Sequence, residues 1–327
     1  MRLIMMGTGP FAVPTFRALK QTEHELAALV TKPLSEVRTR KPAPRHPMRE
    51  AAEELGVPIL SPDDVNSPEA RGQLAVSRPD LFVVCDYGQL LSSETLAIPA
   101  RGGINLHGSL LPRYRGAAPI NWAILNGDIE TGVTVIHMTP RLDAGPCLSR
   151  RRAAIGPDET AVELEPRLAT LGADAVLEAL ALLSRWDGVS ELGEPQDPRL
   201  VTRAPRLRKS QGRVDWSRSA REIVNQVRAM KPWPGTYTFV RQPHAEPLRI
   251  ILDRVSAVSD CPAAPPATVV QATGQRLIVA TGEGGLSVDR VQPAGKRAME
   301  IGEFLRGHPV HVGEAFESTD EAATADG

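Results

Sequence analysis

The stretch RLIMMGTGPFA (residues 2–12) is a short apolar run that ends in glycine, a pattern typical of a buried parallel strand followed by a tight turn. Similar runs recur along the chain and alternate with amphipathic helical segments as far as residue 187. We expect strands at RLIMMGTG (2–9), HELAALVT (24–31), VPIL (57–60), DLFVVCDYG (80–88), GINLHG (103–108) and TGVTVIHM (131–138). This alternation predicts a doubly wound α/β domain over residues 1–187.

The pattern changes in the second half of the chain. Residues 188–210 carry several prolines and little periodicity, which predicts an interdomain linker. One helix and then several short strands with turn signals follow, and they predict a small β-barrel domain over residues 211–315. Residues 316–327 are acidic and rich in small side chains, so we expect a disordered tail.

Composition sets broad limits on function. The chain has 327 residues, of which 42% are hydrophobic and 24% charged, an ordinary globular profile. Its three cysteines, Cys85, Cys147 and Cys261, are far apart and suggest no disulfide framework, which favours the reducing cytoplasm. The histidines show no spacing typical of metal ligands, so we expect no metal. The net charge of −1 argues mildly against a nucleic-acid partner, although a local basic patch could still bind one.

The glycine-rich turn GTGPFA (7–12) matches a dinucleotide-binding pattern, so an NAD(P) oxidoreductase is one hypothesis. The acidic residue expected about twenty positions later is missing, because the chain there reads LVTKP (29–33). Pro10 also removes an N–H group from the site where a pyrophosphate would bind. We therefore favour a structural strand-to-helix turn.

Two polar side chains stand near the end of the fifth strand. Asn105 and His107 are two residues apart, so they project to the same side of the strand. Ligands of open α/β sheets bind at the carboxyl ends of strands. Asn105 offers a neutral N–H donor and His107 a proton acceptor, a pair that suits attack of an amine on a carbonyl or formyl carbon. The spacing alone is unspecific, because satisfied polar residues are common at strand ends.

A third polar group follows the sixth strand. Asp143 lies in the turn RLDAGP (141–146). Parallel strands near the switch point present their carboxyl ends to one crevice, so we expect this carboxylate to approach His107, orient it and favour its protonated form. The alternative is that Asp143 is simply a turn residue before Gly145.

The segments NLHGSLLPRYRGAAPINWAILNGD (105–128), TGVTVIHM (131–138) and LDAGPCL (142–148) resemble the formyltransferases that use 10-formyltetrahydrofolate as the formyl donor. The resemblance implies that Asn105, His107 and Asp143 form the catalytic trio. It also implies a folate site, formed by the backbone of DYGQL and by the SLLP stretch. The residues expected there are Tyr87, Gly88, Ser109, Leu110, Leu111 and Pro112.

Within that family, three further segments resemble the branch that formylates the α-amino group of methionine on initiator tRNA. They are GTGPFAVPTFRAL (7–19), LRKSQGRVDWSRSAREIVNQVRAMKPWPGTYTF (207–239) and QPAGKRAM (292–299). The resemblance implies a cytoplasmic enzyme of translation initiation, with a Rossmann-like catalytic domain and a smaller C-terminal OB-like β-barrel domain. We expect a monomer. Two basic segments would bind the tRNA phosphates. They supply Arg38, Arg40, Lys41, Arg206, Arg208 and Lys209.

The chain also departs from this family. Asp86 stands where a small apolar residue is usual, and Pro146 replaces a second acidic residue. Residues 32–47 lack the glycine-rich sequence that is usual there. Two other functions therefore stay open. A related branch formylates an amino sugar linked to a nucleotide, and APINW (118–122) would fit it too. The other alternative is a non-enzymatic RNA-binding module, against which the intact trio argues.

Overall fold

The computed structural model describes residues 1–34, 46–242 and 245–317. The chain divides into two compact units, each with its own sheet. The first unit comprises Met1–Ile120, Glu130–Ile155 and Glu163–Arg206, and the second comprises Asn121–Ile129, Gly156–Val162 and the chain from Leu207 onward.

The first unit is built on a seven-stranded sheet with the neighbour order β3-β2-β1-β4-β5-β6-β7. Its strands are β1 (Arg2–Met6), β2 (Glu25–Val30), β3 (Ile59–Leu60), β4 (Leu81–Val84), β5 (Gly103–His107), β6 (Glu130–His137) and β7 (Cys147–Ala154). The strands β1 to β5 run parallel. All four residues of β4 and the last four of β1 are buried, as expected for strands covered on both faces.

Helices lie between these strands along the chain or follow the last of them. They are α1 (Val13–Lys20), α2 (Pro47–Glu54), α3 (Pro68–Val76), α4 (Ser93–Leu96), α5 (Pro119–Leu125) and α6 (Ala161–Arg185). Two of them begin at a serine whose side chain accepts a hydrogen bond from a free backbone N–H: Ser67 from Ala70, and Ser92 from Thr95. Pro14 falls in the first turn of α1, where a helix tolerates proline.

The direction of β6 differs from the expectation. β6 pairs with β5 in antiparallel fashion, so that Ile104 lies opposite His137 and His107 opposite Thr134. The argument that β5 and β6 meet at their carboxyl ends is therefore wrong. An apolar period does not encode strand direction, which is why the sequence could not show it. β7, which the sequence did not indicate as a strand, then returns antiparallel to β6.

The segment predicted as a linker makes ordered contacts within the first unit. The backbones of Cys147 and Glu194 exchange two hydrogen bonds of 2.8 Å. Arg115 donates its N–H to Thr202 at 2.9 Å and accepts one from Ala204 at 2.7 Å. Residues 193–204 therefore run along β7 and the loop that follows β5. This path brings their side chains to the polar end of β5.

The second unit contains an antiparallel sheet with the neighbour order β10-β11-β12-β9-β8, and β13 pairs with β12. The strands are β8 (Thr236–Gln242), β9 (Ala245–Val258), β10 (Val269–Thr273), β11 (Arg276–Ala280), β12 (Gly285–Pro293) and β13 (Met299–Glu300). The helices are α7 (Ala220–Ala229) and α8 (Ile301–Gly307). The predicted fold class, a Rossmann-like α/β domain with a smaller OB-like domain, is confirmed.

The core of the second unit is aliphatic, with a few aromatic anchors. Trp216 is buried, donates its indole N–H to Thr238 at 3.1 Å, and meets the Phe316 ring edge-on with the centroids 5.8 Å apart. Ser219 and Glu222 form a reciprocal capping box that begins α7.

The chain after the last helix bonds to both edges of this sheet. Glu317 bridges Phe239 of β8, while Ala315 bridges Thr268 beside β10. Phe316 and Glu317 belong to the predicted tail, yet Phe316 is only 4% exposed. The remaining tail, residues 318–327, lies outside the described residues. Within the described ranges, we find no helix long and apolar enough to cross a membrane.

Candidate active site

Asn105 and His107 lie at the carboxyl end of β5. The register with β4 places Asn105 beside Val84, so both polar residues stand at the edge where the parallel strands end. Asn105 is half-buried and His107 is 5% exposed. The Nε2 atom of His107 is 2.8 Å from the backbone carbonyl of Tyr114, whose φ of +64° turns the loop back towards the strand.

Asp143 reaches the same place from the loop between β6 and β7. Its Oδ2 atom lies 3.7 Å from Nδ1 of His107 and accepts the backbone N–H of Gly116 at 2.8 Å. Its Oδ1 atom accepts a long bond of 3.4 Å from the side-chain amide of Asn105. The carboxylate is 8% exposed. The structure thus brings the three predicted catalytic side chains together, while their roles stay predictions.

The backbone conformation of the Asp143 loop lets it turn back towards β5. Asp143 has a φ of +50°, in the left-handed region. Gly145 lies so close to the end of β6 that a Cβ atom there would be 1.7 Å from the carbonyl oxygen of His137. Only glycine fits at that position. The loop therefore compensates for the antiparallel direction of β6 and returns Asp143 to β5.

Gln196 fixes this loop, although no pattern in the sequence indicated it. Its amide group donates to the backbone carbonyls of Asp143 and Gly145, both at 2.8 Å. Its carbonyl oxygen accepts two hydrogen bonds from the Arg115 guanidinium, at 3.1 and 2.7 Å. Gln196 is therefore fully hydrogen-bonded between two loops of the site. It lies in the proline-rich segment interpreted as a linker, where no periodicity pointed to it.

The SLLP stretch forms a tight loop that is tied to β6. The Ser109 hydroxyl donates to the Arg113 carbonyl at 2.7 Å. Thr134 donates to the Ser109 carbonyl at 2.7 Å and accepts the Leu111 N–H at 3.1 Å. Ser109 and Leu111 are buried and support the loop itself, whereas Leu110 and Pro112 are half-buried at its surface.

Tyr87 and Gly88 follow β4 and differ in what they offer a ligand. The Tyr87 side chain is buried in the apolar core, and this burial raises its pKa to about 12. Its backbone carbonyl accepts the Thr8 hydroxyl at 3.1 Å. Gly88 is exposed, and its φ of +82° favours glycine. A Cβ there would also lie 2.9 Å from the Lys32 ammonium. This segment therefore presents backbone rather than side chain.

The first glycine-rich turn is occupied by the chain's own carboxylate. Thr8 donates its N–H to the Asp86 carbonyl at 3.0 Å, and the Gly9 N–H bonds to the Asp86 carboxylate. Although Asp86 is exposed as a whole residue, partial burial of its carboxylate raises its pKa; Lys32 and the Gly9 N–H offset part of this effect. An anion already fills the place where a pyrophosphate would bind, which disfavours the dinucleotide hypothesis.

The predicted tRNA-binding residues fall into three groups. Arg38, Arg40 and Lys41 lie outside the described residues. Arg206 is exposed and belongs to the first unit, while Arg208 and Lys209 are exposed in the second. Among the residues that the structure describes, we also find no group of three or more His, Cys, Asp or Glu side chains that could hold a metal ion.

Both halves of the chain are similar to known proteins. Residues 1–180 match the formyl transferase family, and residues 206–309 match the formyl transferase C-terminal domain. The methionyl-tRNA formyltransferase of Rhodopirellula baltica is 45% identical over 96% of either chain. That of Methylococcus capsulatus is 43% identical over 94% of this chain and 97% of its own.

A solved structure shares the fold at much lower identity. It is the N-formyltransferase from Helicobacter canadensis, in complex with folinic acid and dTDP-3-aminofucose. The likeness covers 88% of this chain and 98% of that one, with a TM-score of 0.63 and 14% identity. At that identity the similarity shows the fold alone.

The contact between Gly9 and Asp86 gives a test of the first turn. A Cβ on Gly9 would lie 1.7 Å from Asp86 Oδ2, although the backbone at Gly9, with φ −89° and ψ 174°, suits any residue. We expect Gly9→Ala to lower the free energy of unfolding by about 1–3 kcal/mol, because the carboxylate must move. In an Asp86→Ala background this cost should vanish, as urea denaturation of the four proteins would show.

Gly72→Ala is the matched control for that experiment. Gly72 lies within α3, and a Cβ there meets nothing within 4 Å. We expect this substitution to be neutral or slightly stabilising, since alanine stabilises a helix more than glycine does. An equal loss of stability for Gly9→Ala with and without Asp86 would contradict the proposed contact.

Proposed function

The chain belongs to the methionyl-tRNA formyltransferase family, and we propose that Asn105, His107 and Asp143 carry out its reaction. The enzyme transfers the formyl group of 10-formyltetrahydrofolate to the α-amino group of methionyl-tRNA. Identity of 45% over nearly the whole length, across both domains, supports the activity. The observation that carries the assignment of roles is the convergence of the three side chains on the end of β5.

The chemistry needs one donor for a developing negative charge and one path for a proton. The methionyl amine attacks the formyl carbon and forms the new C–N bond of a tetrahedral intermediate, and the bond from that carbon to N10 of the folate then breaks. The amine loses a proton, and N10 gains one as it leaves. Among the described residues, the side-chain amide of Asn105 makes only a long hydrogen bond to Asp143, so it can donate to the oxygen of the tetrahedral intermediate.

His107 is placed to handle the proton. A carbonyl oxygen can only accept, so the contact with Tyr114 fixes a proton on Nε2 of the ring. Nδ1 then faces the Asp143 carboxylate at 3.7 Å. The carboxylate therefore stabilises the positive charge that His107 acquires when it takes a proton, and it holds the ring in one orientation.

Asp143 depends in turn on its own supports. The Gly116 N–H binds its carboxylate, and the Gln196 amide binds its backbone carbonyl. A buried carboxylate without such partners would be costly. Gln196 is therefore a positioning residue in this mechanism: it touches the loop and not the reacting atoms.

The folate site is proposed at the exposed backbone after β4 and the surface of the SLLP loop. Gly88 offers backbone without a side chain, while Leu110 and Pro112 offer half-buried apolar surface. A flat pterin needs apolar contact together with backbone hydrogen bonds, and these elements supply both. Tyr87, Ser109 and Leu111 would shape this site from beneath.

The tRNA substrate requires cations for its phosphates. Arg206, Arg208 and Lys209 are exposed and form no ion pair among the described residues. We propose that they bind the backbone of initiator methionyl-tRNA, with Arg38, Arg40 and Lys41 as a second group. An enzyme that acts on this substrate works in the cytoplasm, where translation begins, and we propose that it does so as a monomer.

The amino-sugar nucleotide is the alternative substrate. It is disfavoured because relatives that match nearly the whole chain at 43–45% identity are methionyl-tRNA formyltransferases, while the enzyme solved with an amino-sugar nucleotide shares only the fold. The deciding experiment offers the purified protein 10-formyltetrahydrofolate with methionyl-tRNA or with amino-sugar nucleotides. We expect formylation of methionyl-tRNA. Formylation of the sugar nucleotide alone would overturn the proposal.

The trio gives a first kinetic prediction. Asn105→Ala should lower kcat by about 10²–10³-fold and His107→Ala by about 10²–10⁴-fold, with much smaller changes in folate affinity. Single-turnover formylation and equilibrium folate binding would measure the two effects separately. His311→Ala, at an exposed histidine of the second unit, is the matched control and should retain full activity. Wild-type turnover in both trio variants would show a purely structural role.

Gln196 gives a second prediction. Gln196→Ala should lower kcat by about 10–100-fold while the KM for folate changes little, because the Asp143 loop loses two hydrogen bonds and shifts. Gln196→Glu should do no better, since a carboxylate cannot donate to two carbonyl groups. Arg115→Ala should cost less, because Arg115 contacts only the carbonyl side of Gln196.

A double-mutant cycle separates this positioning role from a loss of folding. If Gln196 acts through Asp143, then Gln196→Ala should reduce kcat very little further in an Asp143→Ala background. Urea denaturation of each variant checks the fold. Fully additive losses would mean that Gln196 acts independently of Asp143.

The basic segment gives a third prediction. Neutralising Arg206, Arg208 and Lys209 together should raise the KM for tRNA and flatten its dependence on salt, since each phosphate contact releases counterions. The KM for folate should not change. Arg254→Ala is a matched control, because that exposed arginine is already paired with Glu300. An unchanged salt slope in the triple variant would remove this segment from the tRNA site.

A further inference from the structure

The second unit exposes a tryptophan that the fold does not use. The Trp233 side chain lies between Pro232 and Pro234 and is 53% exposed. Among the described residues, its ring has no aromatic or cationic neighbour and its indole N–H has no hydrogen-bond partner. By contrast, Trp216 of the same unit is buried and hydrogen-bonded. Trp233 therefore contributes little to the core and leaves a large flat surface in contact with solvent.

The turn that carries Trp233 is rigid. The Gly235 N–H donates to the Met230 carbonyl at 2.9 Å and closes the turn. The two flanking prolines restrict its backbone further. The backbone of Gly212 packs directly against this turn, since a Cβ on Gly212 would lie only 2.1 Å from the Gly235 carbonyl oxygen. A ring presented on such a turn loses little conformational entropy when it binds a partner.

The neighbouring turn, Lys209–Gly212, belongs to the same block. The amide of Gln226, on α7, donates to the carbonyls of Gln211 and Arg213 at 2.8 and 2.9 Å. Arg213 also bridges Tyr237, four residues after Trp233. The residues that flank this turn are therefore held beside the tryptophan by backbone contacts, and both turns share one rigid support.

The cations of this block are unneutralised. Arg208, Lys209 and Arg213 are exposed, and none of them forms an ion pair with any of the described residues. Some other exposed arginines of the second unit are paired, as Arg218 is with Glu222 and Arg254 with Glu300. The block thus combines positive charge with an aromatic face.

We propose that Trp233, Arg208, Lys209 and Arg213 form one RNA-binding surface, on which an unpaired base of the tRNA substrate stacks against Trp233 while the three cations bind its phosphates. Exposed aromatic rings beside cations are how proteins bind unpaired nucleotides, because every base has a flat face and every linkage a charge. The proposal rests on the proposed function for the identity of the RNA. It adds a contact with a base to a site that would otherwise bind the RNA through its phosphates alone.

The test compares Trp233→Ala with Trp233→Phe in the full-length enzyme. Loss of one stacked base should raise the KM for methionyl-tRNA by about 5–150-fold in the alanine variant, and the phenylalanine variant should keep most of the affinity. The kcat and the KM for folate should stay near those of the wild type. Val312→Ala removes another exposed apolar side chain of the same unit and should change nothing.

Salt dependence distinguishes stacking from charge. Stacking releases no counterions, so Trp233→Ala should shift the tRNA affinity without changing its slope against salt, whereas neutralising Arg208, Lys209 and Arg213 should lower that slope. A wild-type KM for tRNA in Trp233→Ala would overturn the proposal, and so would equal losses in the alanine and phenylalanine variants. If the wild-type enzyme itself failed to formylate methionyl-tRNA, the proposed function would fail instead.

Discussion

The buried Asp143 carboxylate ties together segments that are far apart in the chain. It accepts the Gly116 N–H and lies against Asn105 and His107 of β5. The Gln196 amide donates to the backbone carbonyl of the same aspartate. A carboxylate that is 8% exposed would be costly without partners, so all of these contacts have to form at once. The geometry of the site is therefore a condition of burying this charge, and not an addition to a finished fold.

Sequence reasoning found parts of this site for identifiable reasons. The period of a strand predicted that Asn105 and His107 share one face. Asp143 was expected beside them for a wrong reason, a parallel β6, and the resemblance to a family implied it independently. The sequence could not show how Asp143 returns, because strand direction leaves no mark on an apolar run, and β6 proved antiparallel. It also could not show Gln196, whose value arises from hydrogen bonds between two irregular segments. The alternation of strands and helices predicted the layers of the fold. The paths of the loops could not be predicted, because they depend on tertiary contacts.

The first turn shows how one motif can serve different chemistry. Its glycines permit the close approach that a phosphate needs in dinucleotide-binding proteins, but here the approaching group is Asp86. The missing acid after β2 was readable in the sequence. The substitute anion was not, because Asp86 lies 77 positions after Gly9 and meets it only through the pairing of β1 with β4. The Asp86 carboxylate thus lies beside the turn, in the position that a ligand phosphate takes in dinucleotide-binding proteins.

The net charge of −1 does not by itself favour a polyanionic substrate, and the pairing of charges explains how the chain can still bind one. Many arginines, such as Arg152 and Arg254, are bound to glutamates and contribute little field beyond their partners. Arg208 and Lys209 have no such partner among the described residues. Because screening limits the reach of a charge to about 8–10 Å, a phosphate responds to the unpaired cations nearby and not to the total. Composition therefore measures the sum of the charges, while their arrangement determines what the surface can bind.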